Sequence, residues 1–400
     1  MANKSLSLRT VEESKETLFT SDEEAVYRIP ALIYLGDDNI LAFAERRKTI
    51  DDASTVALDM RAGKVNRIKG TNPAVTIEWS DLNPVKEAQL PGYRPMNPCP
   101  VYEKNSKTLY LFFICVKDGV TEQEQIKSGN NQTHLCYIKS TDDGQTWSEV
   151  TEITENELVE IEQWATMAVG PGHGIQMKSG RLIVPLYAYY RHGCCCCFYC
   201  CCCCNSSFAL CLYSDDQGNI WKLSKKLEMK SNECEMAEVF DDTGKSIIYC
   251  NARNAKYRVG AVSEDGGKEF SSFEKKHLKP ACCDNKSKLV DTGTGCQGSV
   301  VSFPDQSEVQ PDHNKWLLYS HPTDKHKRVK LGVYLNKTPQ DPTQWSKPWI
   351  INSGPSGYSD LAYIDDGWFV CLMECGKHAY TEQIVCRIFS YDDAEQAIAE

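Results

Sequence analysis

Ser140-Thr141-Asp142-Asp143-Gly144-Gln145-Thr146-Trp147 is a turn that this 400-residue chain uses three times. It returns as Ser214-Asp215-Asp216-Gln217-Gly218-Asn219-Ile220-Trp221 and as Ser263-Glu264-Asp265-Gly266-Gly267-Lys268-Glu269-Phe270. The first copy is complete; the later two keep Ser, Asp, Gly and the aromatic but lose the Thr. Ser and Asp side chains can bond the backbone of their own turn, Gly takes the positive φ, and the aromatic fills space between neighbouring strands. A hairpin corner stamped out at long intervals marks a repeat architecture. The intervals suit four-stranded blades with loops of variable length.

Outward from these turns the chain reads as short β runs, rich in aromatic and branched residues and bounded by Gly, Pro, Asn and Asp. Examples are Leu41–Ala44, Thr108–Val116, Arg181–Tyr189, Ser246–Asn251, Lys315–Tyr319, Lys330–Leu335 and Trp368–Met373. Helical periodicity is scarce: residues 155–167 are the best interior candidate, and residues 392–400 predict a short terminal helix. No Gly/Ser or Pro linker divides the sequence. The expectation is one all-β domain spanning residues 1–400 with a core of about 25–390, closed radially so that few strand edges are left open.

A net charge of −11 argues against a nucleic-acid partner. It also means that any anion site must be built locally from clustered Arg or Lys. No apolar run approaches the ~20 residues of a membrane-spanning helix. The first 22 residues are polar and charged, which predicts no secretory signal, so the sequons at Asn131, Asn205, Asn285 and Asn336 are expected to stay unused. Of 21 cysteines, nine lie between Cys194 and Cys204. The rest sit mostly in apolar runs such as Phe112-Phe113-Ile114-Cys115-Val116 and read as reduced core thiols.

Gly293-Thr294-Gly295-Cys296-Gln297-Gly298 matches G-x-G-x-x-G, but a dinucleotide site needs a helix opening there. The following Ser299-Val300-Val301-Ser302-Phe303 is strand-like. His173, His192, His313, His321 and His326 show no paired metal frame, so neither a metal nor a cofactor is expected.

Tyr27-Arg28-Ile29-Pro30 is the second strong signal, and with it the chain resembles the animal exo-α-sialidases (neuraminidases). The resemblance runs from about Ala25 to Phe389. It includes Leu41-Ala42-Phe43-Ala44-Glu45, Met96-Asn97-Pro98-Cys99-Pro100, Val120-Thr121-Glu122, Ala168-Val169-Gly170-Pro171-Gly172-His173, Gly295-Cys296-Gln297-Gly298-Ser299 and Gly357-Tyr358-Ser359-Asp360-Leu361. Phe112–Val116 and Glu374-Cys375-Gly376 look most like the plasma-membrane, ganglioside-preferring branch. The resemblance implies a six-bladed β-propeller. It also implies a retaining exo-α-sialidase acting on gangliosides, sialylated oligosaccharides and glycoproteins at a membrane periphery, with a cytoplasmic location as the alternative.

It further implies a set of roles. Arg28, Arg253 and Arg328 hold the substrate carboxylate, a task suited to forked, charge-assisted bonds. Glu374 braces the first of them. Tyr358 is the nucleophile, because a phenol avoids the repulsion that a second carboxylate would meet at an anionic sugar. A phenol of reference pKa about 10 needs a base, and Glu233 matches it, with Glu238 a less favoured substitute. The general acid falls at Asp52, with Asp51 next door. Arg47 matches a further substrate-binding arginine, with Arg46 beside it as a surface charge. Glu122, Tyr187 and Tyr189 match positions lining the N-acyl and glycerol pockets.

The tract from Cys194 to Cys204 departs from the family and lies in a variable loop at residues 190–207. It reads as a low-complexity expansion, as an S-acylation cluster giving peripheral membrane attachment, or as a soft-metal or redox tract. A propeller without catalysis, acting as a lectin, and a transglycosylase are the rival functions. The intact set of site residues counts against the first; competition between lactose and water separates the second.

Overall fold

The computed structural model describes residues 15–70, 73–153, 157–191, 206–255, 257–272, 289–306, 315–341 and 344–399. The tract from Cys194 to Cys204 lies outside these residues. Strands dominate, and among the described residues every strand pair is antiparallel and most join neighbours in sequence, with one pair closing the two ends. That pair is Lys15–Thr20 against Gln383–Ser390, which ties the two ends of the described chain into one sheet.

Among the described residues the strands form five hydrogen-bonded sheets in a propeller-like arrangement. Four of them are built on Val26–Gly36, Tyr93–Glu103, Trp164–Val169 and Cys234–Phe240 as first strands. The fifth has seven strands, because the 15-residue strand Trp349–Tyr363 pairs on both sides. Its first half runs beside Val329–Asn336 and its second half beside Trp368–Cys375. The first strands pack against one another: Val26–Gly36 touches both Tyr93–Glu103 and Trp349–Tyr363, and Ser299–Pro304 touches Cys234–Phe240 and Trp349–Tyr363.

Each repeated turn joins the third strand of a sheet to the fourth. In the first copy Ser140 Oγ donates to Asp142 Oδ1 at 2.7 Å and accepts from Gly144 N–H at 2.9 Å. Asp142 Oδ1 also accepts from Thr146 N–H at 2.9 Å. The second and third copies repeat the pattern on Asp216 and Asp265. Gly218 has φ +91°, and a Cβ there would fall 2.5 Å from the Tyr110 hydroxyl, so conformation and space both demand glycine. Two of the turn aromatics also reach across to the preceding sheet. Trp221 meets Phe112 of the preceding sheet edge-on at 4.8 Å, and Trp147 meets Phe43 of its preceding sheet at 6.3 Å. The repeat is thus a sheet-to-sheet fastener.

The expected strands coincide with observed ones, Arg181 alone falling one residue ahead of Leu182–Tyr190. The expected helix at residues 155–167 does not form among the described residues of that span, 157–167. Leu158, Ile161 and Trp164 do share one buried cluster, as their three-residue spacing suggests. They reach it from a short 3-10 helix, Val159–Gln163, and from the strand Trp164–Val169, which pairs with Leu182–Tyr190. Sheet pairing overrides the local period there. The terminal helix is Tyr391–Ala399. Among the described residues ten cysteines are free and buried, and no helix is long and apolar enough to cross a membrane.

Candidate active site

Several irregularities interrupt the regular pleat among the described residues, and four of them fall at a residue singled out above or beside one. Register shifts occur between Arg28 and Ala31, Met96 and Cys99, Val329 and Leu331, and Ser356 and Ser359. Ile29, Asn97 and Lys330 sit there with φ of 59°, 56° and 58°. A β-branched residue at positive φ is strained, and such strain concentrates at sites where a bulge re-aims side chains.

Three of these irregularities contribute lining residues, Ile29, Met96, Asn97 and Tyr358, to a cavity of about 530 Å³. Arg47, Asp52, Glu122, Tyr187, Tyr189, Glu233, Arg253 and Tyr358 all line it. Tyr358 Oη donates to Glu233 Oε1. Arg253 Nη1 donates to Glu233 Oε2 at 2.8 Å and to Tyr358 Oη at 3.1 Å. Burial, followed by the Glu233 charge, pushes the phenol pKa up, while Arg253 and Arg328 pull it down. The phenol is therefore neutral at rest, with a proton acceptor already hydrogen-bonded to it.

Arg28 and Arg328 do not line that cavity but flank Tyr358, their guanidinium carbons 5.6 and 5.3 Å from its ring centroid. Both also approach the ring of Tyr380, at 5.2 and 5.5 Å. Three arginines from distant parts of the chain thus meet around one phenol. Arg28 Nε donates to Glu374 Oε1 at 2.6 Å, and Glu374 Oε2 accepts the Tyr358 backbone N–H at 2.9 Å. Gly357 is needed here, since a Cβ would fall 2.1 Å from Glu374 Oε2. The loop from Gly293 to Gly298 is followed by the strand Ser299–Pro304, not a helix. Its carbonyls brace the arginines: Thr294 O accepts from Arg253 Nη2 and Gly295 O from Arg328 Nη2.

At the opposite wall, Asp51 caps the short 3-10 helix Asp52–Ser54 by accepting from Ala53 N–H. Asp51 is exposed, whereas Asp52 faces the cavity. Burial, then the bond to Asp51, raises the Asp52 pKa; the Ala53 N–H, then the bond to Asp52, lowers that of Asp51. Of the two, only Asp52 lines the cavity. Arg47 is locked to Glu45, Nε to Oε2 at 2.8 Å, while Arg46 pairs with Asp59 and is not among the cavity residues. Glu238 is likewise remote, accepting from Lys178 N–H and Ser246 Oγ.

Glu122 opens the helix Glu122–Ser128, capped by a reciprocal Thr121–Glu124 box. The box was legible as Thr-x-x-Glu, yet no helix was expected there. Enclosure by the cavity walls, then the charges of Asp52 and Glu233, push the Glu122 carboxyl up to about 7. Tyr187 and Tyr189 share a face of Leu182–Tyr190, rings 6.2 Å apart. Met96, Ile114, Val116 and Ala168 pack with Tyr187 into an apolar patch at this end.

The sequence reading missed Arg94 and Tyr380. Arg94 lines the cavity with Nη1 and Nη2 spent on the carbonyls of Lys117 and Val120. An Arg inside the apolar run Tyr93–Glu103 was its only signal. Tyr380 sits in a loop and carried none.

The BNR repeat-like domain family matches residues 42–371. Sialidase-3 of Mus musculus is 42% identical over 411 aligned residues, covering 94% of this chain and 94% of that protein. Sialidase-2 of Cricetulus griseus is 39% identical, covering 96% of this chain and 97% of its own length. The chain belongs to the animal sialidase family. It is a glycoside hydrolase by that membership. Two solved structures share the fold at lower identity. Hadza microbial sialidase Hz136 has a TM-score of 0.70 at 18% identity, over 92% of this chain, which spans 66% of that longer protein. The intramolecular trans-sialidase of Ruminococcus gnavus, in complex with oseltamivir carboxylate, has a TM-score of 0.66 at 16% identity, over 95% of this chain and 98% of its own.

Proposed function

We propose that this protein is a retaining exo-α-sialidase working through a tyrosyl–sialyl intermediate. The Tyr358–Glu233 hydrogen bond, with Arg253 spanning both, carries the reading. Arg28, Arg253 and Arg328 hold the sugar carboxylate. Glu233 takes the phenol proton as Tyr358 Oη attacks the anomeric carbon, and Asp52 protonates the departing glycosidic oxygen. Asp52 then takes a proton from water. The hydroxide attacks the same carbon, Tyr358 leaves, and Glu233 returns its proton. Two inversions give net retention. Glu122, Tyr187 and Tyr189 line the end that takes the N-acyl and glycerol groups, with Met96, Ile114 and Val116 meeting the acyl methyl. Arg47 adds a substrate contact, and no step calls on a metal or cofactor.

The fold reading that goes with this chemistry is six blades in one domain. It counts the seven-stranded sheet as two four-stranded units sharing Trp349–Tyr363. Gangliosides are the preferred sialylated substrates, on the likeness of Phe112–Val116 and Glu374–Gly376 to the ganglioside-preferring branch. Attachment to a membrane periphery through S-acylation within Cys194–Cys204 agrees with where that loop is rooted. Its flanking residues Tyr190 and Ser206 pair beside Tyr189 and Ser207, which line the cavity.

The test is release of free sialic acid from a fluorogenic α-sialoside, mixed gangliosides and a sialylated glycoprotein. Wild type releases it, with gangliosides ranked first and the α-anomer as initial product by proton NMR. Tyr358→Phe loses turnover by more than ~10³-fold. Near-normal turnover in that variant overturns the nucleophile.

A further inference from the structure

Two residues beyond Glu233 and two beyond Tyr358 in the sequence lies a second acidic pair, Glu235 and Asp360. Glu235, Asp360 and Ser299 are completely buried. Ser299 Oγ lies 2.7 Å from Glu235 Oε2 and 2.9 Å from Asp360 Oδ1, and it accepts from Leu361 N–H at 3.0 Å. A hydroxyl owns one proton and can donate to one carboxylate only. The other short contact requires a carboxyl that brings its own proton.

The donors identify which carboxyl that is. Asp360 receives Leu32 N–H at 2.7 Å and Leu361 N–H at 3.0 Å, and His173 Nδ1 lies 2.7 Å from its Oδ1. Glu235 receives Val300 N–H at 2.9 Å and Gln297 Nε2 at 3.1 Å, and no ionic partner approaches as closely. Two neighbouring, fully buried carboxylates do not both ionise. Burial, followed by the Asp360 charge, pushes the Glu235 carboxyl well above the usual range. The ligand-type atoms of His173, Glu235 and Asp360 lie within 4.8 Å of one another. Ser299, Val300, Leu32 and Leu361 engage the carboxylate oxygens, so the set suits a shared proton better than a cation.

We propose that Glu235 is a neutral carboxylic acid donating to Ser299, and that the Glu235–Ser299–Asp360–His173 chain is the positioning device that fixes the nucleophile. This rests on the reading of Tyr358 as nucleophile. Gln297 completes the device: its Oε1 accepts Ser359 N–H at 3.0 Å and its Nε2 reaches Ser359 O at 2.9 Å. Ser359 links Tyr358 to Asp360, so the backbone on both sides of the nucleophile is held. Through Leu32 the same chain reaches the strand that carries Arg28. One buried proton therefore ties the strands bearing Arg28, Glu233 and Tyr358. Displacing a reacting group by about 1 Å can cost ~10²-fold in rate.

The test has two arms. An infrared difference spectrum at neutral pH, wild type minus Glu235→Gln, should show the carbonyl stretch of a protonated carboxyl, and wild type minus the surface variant Glu160→Gln should not. Absence of that band in the Glu235→Gln difference overturns the neutral acid. In the kinetic arm, Glu235→Ala lowers kcat by ~10-fold or more with KM changed less than ~3-fold, and Glu235→Gln, which keeps a donor and an acceptor, recovers most of the loss. A Gln variant as impaired as the Ala variant, or a loss confined to KM, overturns the positioning role. The infrared arm stands if Glu235→Ala fails to fold. Wild type releasing no sialic acid would defeat the proposed function and leave the infrared result to decide the proton.

Discussion

Glu374 joins Arg28 to Tyr358: one oxygen accepts from the guanidinium Nε at 2.6 Å, the other from the Tyr358 backbone N–H at 2.9 Å. The carboxylate is wholly buried, so it sets the spacing between a binding arginine and the nucleophile. Removing one partner of a buried ion pair costs about 3–5 kcal/mol. Glu374→Ala should therefore lower both Tm and turnover. Glu374→Gln keeps an acceptor for Tyr358 N–H but loses the charge opposite Arg28, so KM should rise more than kcat falls. Steady-state kinetics with thermal melting separate the two.

Arg253 reaches Glu233 and Tyr358 with one nitrogen and the Thr294 carbonyl with another. Lysine keeps the charge and cannot reproduce that fork. Arg253→Lys should lower kcat/KM by ~10²-fold or more. A silent substitution would remove Arg253 from the carboxylate clamp.

Glu122 gives a pH prediction whose sign is fixed. Its folded pKa of about 7 lies above the ordinary carboxylate value. Between roughly pH 4.5 and 7 the unfolded chain has released this proton while the folded chain still holds it, so stability falls as pH rises through that window. Glu122→Gln has no proton to lose. Its Tm should match wild type near pH 4.5 and exceed it by about 1–3 °C above pH 7. Melting curves across pH check this; a constant offset contradicts it.

Trp221 fastens its sheet to the preceding one through Phe112 and Tyr110. Truncating a buried Trp costs about 3–5 kcal/mol. Trp221→Ala should lower Tm markedly, yet leave turnover per folded molecule near wild type at low temperature, because the turn lies away from the cavity residues. Denaturant melts beside activity per folded fraction test this.

The sequence made some of this legible because the cause was local. A turn that satisfies its own backbone must be written in consecutive residues, as Ser140, Asp142 and Gly144 are. Strand runs follow the same logic. Residues 155–167 misled because three-residue spacing also suits a 3-10 turn feeding a buried strand. The meeting of Arg28, Arg253 and Arg328 has no local cause. It depends on radial packing and came only from resemblance. Tyr380 and the Glu235–Asp360 contact were invisible for the same reason: each becomes meaningful only across strands far apart in the chain.

Covalent capture of the nucleophile tests the account most directly. The protein would be incubated with 2,3-difluorosialic acid, digested and searched for the sugar adduct by mass spectrometry. The account predicts one adduct, on Tyr358, absent in Tyr358→Phe. An adduct on Glu233 or another carboxylate, or none in a preparation that turns over sialosides, would contradict it.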